Sequence, residues 1–330
     1  MTINIKPALV TGVIVFCCTL FCRAQFPPPA GQPGSTAIFK DSSVFVGWAT
    51  GCKVKRGYIK ISDTSFTYLE DNKANYGAEG SALGKADEAP VSLGDGGWAI
   101  LTFDKPVTNG PGYDFAVFEN GLNDTFLELA FVEVSSDSIH FFRFPSISNT
   151  QTTTQIGTFG AIDATKINNL AGKYRILFGT PFDLEELNGT PGLDVNKITH
   201  IKIIDAVGCI QPAYATHDSN GKIVNDPWPT PFNTCGFDLD AVGVLHFSSS
   251  SQDEPVFLFP NPVIDKVTIN LQAGSWFDLL LQDASGKIVI KMENVRNNIT
   301  IDIGFLSSGI YFATFTMENG MTRVKKIIKC

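Results

Sequence analysis

The sequence has few of the residues and motifs on which most catalytic sites depend. Its 330 residues include only four histidines, which are far apart: His140, His200, His217 and His246. There is no G-x-S-x-G nucleophile elbow, no HExxH zinc motif and no phosphate-binding loop. No CxxC pair follows the N-terminal segment, which argues against a structural zinc site. These absences favour a non-catalytic protein, with a hydrolase as the enzymatic alternative.

Basic residues are fewer than acidic residues. The chain has 25 Lys and Arg residues against 33 Asp and Glu residues, which gives a formal net charge of −8 and a pI near 5.0. Nucleic acids and anionic membranes repel such a surface, so neither is expected as a partner. The charge is compatible with cations or neutral sugars.

Long apolar runs are missing after the N-terminus. Lys6 precedes the apolar segment "ALVTGVIVFCCTLF", which is too short to span a bilayer comfortably, and "CRA" follows it. This pattern predicts a signal peptide over residues 1–24, cleaved between Ala24 and Gln25. An N-terminal membrane anchor is the alternative. We expect no transmembrane segment in the mature chain.

Short strands dominate the main body of the sequence. Residues 25–37 are a Pro/Gly-rich lead-in, expected to be extended and mobile. Stretches such as "WAILTF", "YDFAVFE", "LELAFVEVS", "THIKIID" and "FDLDAVGVLHF" are rich in β-branched and aromatic residues, and turn clusters separate them. Neither face of "YDFAVFE" is clearly polar, so this strand is expected to be central and covered on both sides. The patterning predicts an all-β fold, with a jelly-roll-like β-sandwich over residues 38–247.

A serine-rich stretch separates this body from a second unit. Residues 248–255 read as a solvated linker, and the following 256–330 carry a small net positive charge, unlike the rest of the chain. Alternating stretches such as "KVTINL", "FDLLLQ" and "GIYFATFTM" predict about seven short strands. We expect a small immunoglobulin-like β-sandwich here.

The tail carries specific motifs. "FPNPVIDKVTI", "LQDASGKIV", "LSSGIYFATF" and the basic ending "RVKKIIK" follow one another along it. These residues resemble the C-terminal sorting domain, type A, of cargo of the type IX secretion system. The resemblance implies passage through the periplasm of a two-membrane bacterium to the outer surface or the medium. The implied partners are the type IX secretion machinery and its sortase-like peptidase. A fused adhesive domain is the alternative.

The body resembles a family described only as bacterial cell-surface proteins. The resemblance rests on stretches such as "GWATGCKVKRG", "ELAFVEVSSDSIHFFRF" and "DPWPTPFNTCGFDLDAVGV". Distant relatives of this family occur near outer-membrane systems for cobalamin-like cofactors. The resemblance therefore adds one alternative function, the capture of a small cofactor for uptake across the outer membrane.

Loop aromatics suggest a ligand surface on the body. Sandwich proteins often present rings on which the apolar faces of sugars stack, and Trp228, Tyr214 and Trp98 are the candidates. Prolines on both sides of Trp228 stiffen its loop, which lowers the entropy lost on binding. The sequence thus predicts a module that binds a glycan or another extracellular ligand. Two alternatives are that Trp228 is a loop lid over the core and that the body is purely adhesive.

Two cysteines of the body are predicted to form a disulfide. Cys209 ends the strand "THIKIIDAVGC", and Cys235 immediately precedes the strand "GFDLDAVGV". Both positions depart from the small residues of the surface-protein family, and export favours disulfides. Two buried free thiols are the alternative.

Acidic residues suggest a calcium ion as a cofactor of the body. Strand alternation places Asp238 and Asp240 on one face, where two carboxylates need a counter-charge. Calcium takes 6 to 8 oxygen ligands at flexible geometry. Further oxygens for this predicted site come from Asp95, Glu119, Asn120 and Asp124. The alternative is that Asp238 and Asp240 cap turns through backbone N–H groups.

Overall fold

The computed structural model describes residues 26–248, 256–270, 276–296, 299–317 and 322–330. The predicted signal peptide, its cleavage point at Ala24 and Gln25, and linker residues 249–255 lie outside this description. The described residues form β-strands and a few turns of 3-10 helix, which confirms the predicted all-β class. No helix in these ranges is long and apolar enough to cross a membrane.

The chain divides into two compact units between His246 and Phe247. Strands of the first unit are β1 (Ile38–Phe39), β2 (Gly47–Trp48), β3 (Gly51–Lys55), β4 (Val91–Ser92), β5 (Trp98–Val107), β6 (Phe115–Glu119), β7 (Ala130–Ser135), β8 (Phe142–Arg143), β9 (Ile147–Ser148), β10 (Ile167–Asn168), β11 (Phe178–Phe182), β12 (Ile198–Asp205) and β13 (Asp238–Val244). Short 3-10 helices occur at Glu79–Ala82, Ala164–Lys166 and Leu184–Leu187.

Two antiparallel sheets make up most of the first unit. One has the strand order β1-β11-β6-β13-β2, with β4 also paired to β13, and the other has the order β3-β5-β12-β7-β8. The rings of Phe115 in β6 and Phe144 just after β8 lie 5.8 Å apart, so aromatic side chains join the two sheets. This arrangement confirms the β-sandwich predicted from the strand pattern.

Burial follows the strand patterns. Every residue of β6 is buried, as expected for a strand covered on both faces, and the same holds for β13 beside it. In β5, by contrast, Ala99 and Leu101 are buried while their neighbours are partly exposed. Strands β6 and β13 are therefore covered on both faces, even at the carboxylates of β13, whereas β5 has one covered face.

The lead-in before β1 is not the mobile segment that its composition predicts. The backbone N–H of Phe26 donates to Thr165 O at 3.2 Å, and Arg175 Nη1 donates to Ala30 O at 3.3 Å. The hydroxyl groups of Thr36 and Tyr174 lie 2.8 Å apart. These bonds attach residues 26–36 to the body, which proline content alone could not reveal.

The second unit is a small sandwich of two sheets. Its strands are β14 (Phe257–Phe259), β15 (Lys266–Asn270), β16 (Trp276–Asp283), β17 (Ile288–Arg296), β18 (Ile299–Asp302), β19 (Gly309–Met317) and β20 (Thr322–Lys329). They form a sheet of order β14-β15-β18 and a sheet of order β17-β16-β19-β20. Val267 of the first sheet shares one core with Phe277 and Phe315 of the second. The number and pairing of the strands confirm the predicted small sandwich.

Candidate functional site

A cavity of about 490 Å³ lies over β3 and β5, and a second cavity of the first unit combines aromatic rings with carboxylates. The volume of this second cavity is about 310 Å³. Loop residues and the first residue of β13 line it: Tyr76, Asn120, Leu122, Phe126, Glu128, Thr158, Phe159, Thr230, Phe232, Thr234 and Asp238. The lining comes from four separate stretches of the chain, which the sandwich brings together. We call this cavity the rim pocket.

Aromatic rings surround the mouth of the rim pocket. The rings of Phe159 and Phe232 stack at 6.1 Å with an interplanar angle of 25°, and Phe126 lies 6.0 Å from Phe159. Tyr76 completes the rim. Phe159 is 71% exposed, although a large apolar side chain gains free energy from burial. Exposed rings on a loop offer flat apolar surface to a ligand.

Two carboxylates form the floor of the rim pocket. Asp238 begins β13, and Glu128 stands two residues before β7. Burial raises the pKa of Asp238 to about 7, although the Ser92 hydroxyl donates to this carboxylate and Arg56 attracts it. Burial also raises the pKa of Glu128 well above its usual range, and the charges of Asp238 and Glu119 raise it further.

More buried acids lie behind this floor, around a second cavity of only about 10 Å³. Asp95, Asp205 and Asp226 line this small cavity together with Glu128. Burial raises the pKa of Asp95 to about 6 and that of Asp205 to about 8. Burial also raises the pKa of Asp226 well above its usual range. We call Asp95, Glu119, Glu128, Asp205, Asp226 and Asp238 the acidic cluster.

Backbone N–H groups hold most members of the acidic cluster. Asp205 accepts from Phe237 N at 2.8 Å and from Gly96 N at 3.0 Å. Asp226 accepts from Leu129 N at 3.0 Å. These bonds fix the carboxylates to the ends of β7, β12 and β13, so the sheet itself positions the charges.

The three aromatics predicted to bind ligand do not meet at the rim pocket. Trp228 is only 6% exposed and packs against Val207 and Cys209, while its Nε1–H donates to Asp95 at 3.0 Å. Tyr214 is partly buried against the same cluster, and Trp98 lies in β5 with Lys202 Nζ 5.7 Å from its ring centroid. Trp228 is therefore a lid over the core, which was the alternative interpretation, and offers no ring face to solvent.

The six predicted calcium ligands also divide into different environments. Asp238 and Asn120 line the rim pocket, Asp95 lines the small cavity, and Glu119 accepts from Gly121 N at 2.6 Å. Asp240 instead accepts backbone N–H groups of Asp87 and Glu88. Asp124 is paired with Arg175 at 3.1 Å. In the described ranges, no three His, Cys, Asp or Glu side chains form an arrangement that could hold a metal ion. The calcium ion stays a prediction.

The predicted disulfide between Cys209 and Cys235 is wrong. Both cysteines are buried free thiols in the described part of the chain. Cys209 packs with Val207 and Trp228, whereas Cys235 packs with Ile59 and Ala74 in a different apolar cluster. Positions at the two ends of one loop look close along the sequence, but the side chains enter separate parts of the core.

Several residues of the site were not identified from the sequence. The missed acids are Glu128, Asp205 and Asp226, and the missed rim residues are Tyr76, Phe126, Phe159 and Phe232. The acids did leave a signal, since Glu128 and Asp205 interrupt or end apolar strand runs in "LELAFVEV" and "THIKIID". Burial of a carboxylate within a strand costs free energy, so an acidic residue in an apolar strand run is a useful signal of a site. No comparable signal distinguishes the rim phenylalanines from core phenylalanines.

Comparison with known proteins gives one family match. Residues 257–330 match the family model of the secretion system C-terminal sorting domain. No curated protein matches the chain.

The solved structures described next are only weakly similar to this chain. PorZ, a surface component of the type IX secretion system of Porphyromonas gingivalis, is 16% identical over 42% of this chain and 23% of its own, with a TM-score of 0.21. CopC from Methylosinus trichosporium OB3b is 18% identical over 23% of this chain and 91% of its own, with a TM-score of 0.17. A β-glucuronidase from Ruminococcus gnavus is 10% identical over 71% of this chain and 36% of its own, with a TM-score of 0.19.

These TM-scores are too low to carry an argument about fold or function. The chain spans less than a quarter of the length of PorZ. The family match, in contrast, covers nearly the whole second unit and agrees with the motifs along it. The second unit of this chain is a C-terminal sorting domain of type IX secretion cargo, and it marks the protein for export to the cell surface or the extracellular space.

Proposed function

We propose that the first unit is a non-catalytic module that binds an extracellular glycan in the rim pocket. The observation that carries this proposal is the pairing of exposed aromatic rings at the mouth with carboxylates at the floor. A sugar has an apolar face that stacks on rings and hydroxyl groups that donate to carboxylates. Apolar walls with a few polar groups are the usual composition of ligand pockets.

The size of the rim pocket supports a small ligand. Its volume of about 310 Å³ is at the lower end of the range of small-molecule pockets, which is roughly 300–1,000 Å³. This space suits one or two sugar rings, such as the end of a glycan chain. It is small for a whole cobalamin-like cofactor, so glycan binding is favoured over the alternative of cofactor capture.

Hydrolysis of the glycan fits the site less well than binding. A glycosidase needs one carboxyl group that holds a proton and a second that stays ionised. Burial raises the pKa of Asp238 to about 7 and that of Glu128 well above its usual range, so neither carboxyl group is held firmly ionised, as the second role requires. This shared environment supports a binding role.

Substitution of Phe159 tests the proposal. We expect at least one glycan to bind the purified full chain saturably in calorimetric titrations, and Phe159→Ala to weaken its binding about tenfold, because a stacked ring is lost. Phe305→Ala is the matched control, since Phe305 is 72% exposed but belongs to the second unit. A panel of glycans with no saturable binding, or equal effects of the two variants, would overturn the proposal.

A further inference from the structure

We propose that the glycan in the rim pocket carries a positively charged amino group, as an unacetylated amino sugar does. This inference rests on the proposed function and adds the charge of the ligand to it. It depends on three features of the pocket: the charges that line it, the free carboxylate of Glu128, and the aromatic rim.

The charges of the lining have one sign. Glu128 and Asp238 are the charged residues of the pocket wall, and no Lys, Arg or His is among the described residues that line it. Behind them stand Glu119, Asp205 and Asp226, whose charges all act on Glu128. An anionic sugar would meet only repulsion here, whereas a cationic one would be attracted.

The protein supplies little compensation for this charge. Within the described ranges, neither Glu128 nor Asp238 belongs to an ion pair. Arg56 attracts Asp238, but its guanidinium group donates to main-chain oxygens: Tyr76 O at 2.8 Å, Gly77 O at 2.6 Å and Ser92 O. Without a partner these buried carboxyl groups favour their protonated form, as their raised pKa values show, and an ammonium group in the pocket would favour the ionised form, so the floor matches a counter-charge from outside the chain.

Glu128 is the residue best placed to receive that counter-charge. It is only 7% exposed and lines both the rim pocket and the small cavity behind it. Asp205, Asp226 and Glu119 accept backbone N–H groups, and Asp238 accepts the Ser92 hydroxyl group. The Glu128 carboxylate, in contrast, accepts no hydrogen bond from the described residues. An ammonium group has three N–H donors, which this carboxylate lacks.

The aromatic rim also favours a ligand with a positive charge. Faces of aromatic rings are negative, and they attract an ammonium group that lies within about 6 Å of the ring centroid. Phe126, Phe159 and Phe232 form a continuous row of rings above the acidic floor. Rim and floor together therefore match an apolar sugar face that carries an amino group.

An organic cation fits the pocket better than a metal ion does. The rim pocket is many times larger than one ion, and apolar rings contribute no metal ligands. In the described residues, no group of three His, Cys, Asp or Glu side chains could hold a metal. Calcium is the other cation that could occupy the pocket, so the experiment must distinguish it from an amino sugar.

The test compares oligosaccharides of equal length that differ in charge. Glucosamine oligomers, N-acetylglucosamine oligomers and galacturonic acid oligomers are titrated into the purified full chain by calorimetry. We expect the glucosamine oligomer to bind about tenfold or more tightly than the acetylated one, and the acidic oligomer not to bind. Added salt should weaken only the binding of the glucosamine oligomer, because it screens charge.

Substitution of Glu128 tests whether this residue causes the preference for the glucosamine oligomer. Glu128→Gln keeps the size of the side chain and should bring the two affinities within about threefold of each other. Asp240→Asn is the matched control, because Asp240 is a buried acid of β13 that lies outside the pocket lining. Thermal unfolding checks that each variant is folded. The titrations with added salt test the role of charge in the unaltered chain.

The outcomes separate the two proposals. Equal binding of both oligomers that Phe159→Ala weakens would overturn the charge inference and leave the proposed function standing. No saturable binding of any oligomer would overturn both. Displacement of the glucosamine oligomer by calcium chloride, reversed by chelator, would show that a metal supplies the counter-charge and would also overturn the inference.

Discussion

A single glycine shows how closely the acidic cluster is packed. An added Cβ at Gly208 would lie 1.7 Å from Asp226 Oδ1 and 2.7 Å from Asp226 O. Gly208 also lines the small cavity, next to the carboxylates. Any side chain here must displace Asp226, which accepts the hydrogen bond from Leu129 N. The acidic cluster therefore requires that residue 208 has no side chain.

We expect Gly208→Ala to destabilise the protein by about 1–3 kcal/mol, because it overpacks a buried site. Gly80→Ala is the control, since a Cβ at Gly80 meets nothing within 4 Å. Denaturant unfolding of the two variants measures the difference. Equal free energies of unfolding would contradict the close approach of Asp226.

At the scale of elements, strand ends bring the acids together. β12 ends at Asp205, β13 begins at Asp238, and Glu128 stands just before β7. The antiparallel pairing of β12 with β7 aligns Asp205 with Ala130, so Glu128 falls close to this end of the sheet. Each acid alone could be a strand cap, and the strand pairing makes them a cluster.

The stability of the protein should fall as pH rises. Burial raises the pKa of Asp95, Asp205 and Asp238 to about 6, 8 and 7, so the folded chain holds protons that the unfolded chain releases near pH 4. The stabilisation is fully present below about pH 4 and is lost as pH rises through these values. We expect the melting temperature of the ligand-free chain to fall by about 5 °C or more between pH 5 and pH 8.

Asp205→Asn tests the origin of this pH dependence. The variant has no proton to lose at this position, so its melting temperature should change less between pH 5 and pH 8. Asp104→Asn is the control, because Asp104 is exposed. A pH profile that is the same for all three proteins would assign the effect to other groups.

At the scale of the whole molecule, the division into two units separates the proposed binding site from the sorting domain. The first unit holds the rim pocket, and the second unit matches a sorting domain over residues 257–330. Each unit has its own buried core. Delivery and binding should therefore be separable by deletion.

Deletion of residues 256–330 should leave a folded first unit that accumulates in the periplasm of the host. The reason is that the sorting domain carries the recognition by the secretion machinery. Cell fractionation and surface proteolysis measure the location, with the full chain as control. Fusion of residues 256–330 to a periplasmic carrier protein should direct the carrier to the surface. Normal surface display of the truncated chain would contradict the prediction.

The sequence by itself determined the all-β class, the small C-terminal sandwich and the route of export. Alternation of apolar and polar residues depends on the local geometry of a strand, so it can be read without knowledge of the fold. The tail motifs are likewise local, which is why "FPNPVIDKVTI" and "LQDASGKIV" were enough to identify the sorting domain.

Only the tertiary structure decided the site. Tyr76, Glu128, Phe159 and Phe232 are far apart in the chain and meet because strand pairing folds their loops to one place. The same pairing buried Trp228, sent Cys209 and Cys235 into separate clusters, and attached the lead-in to the body. Contacts between distant residues depend on the whole packed chain, and for this reason no local pattern could predict which of these side chains meet.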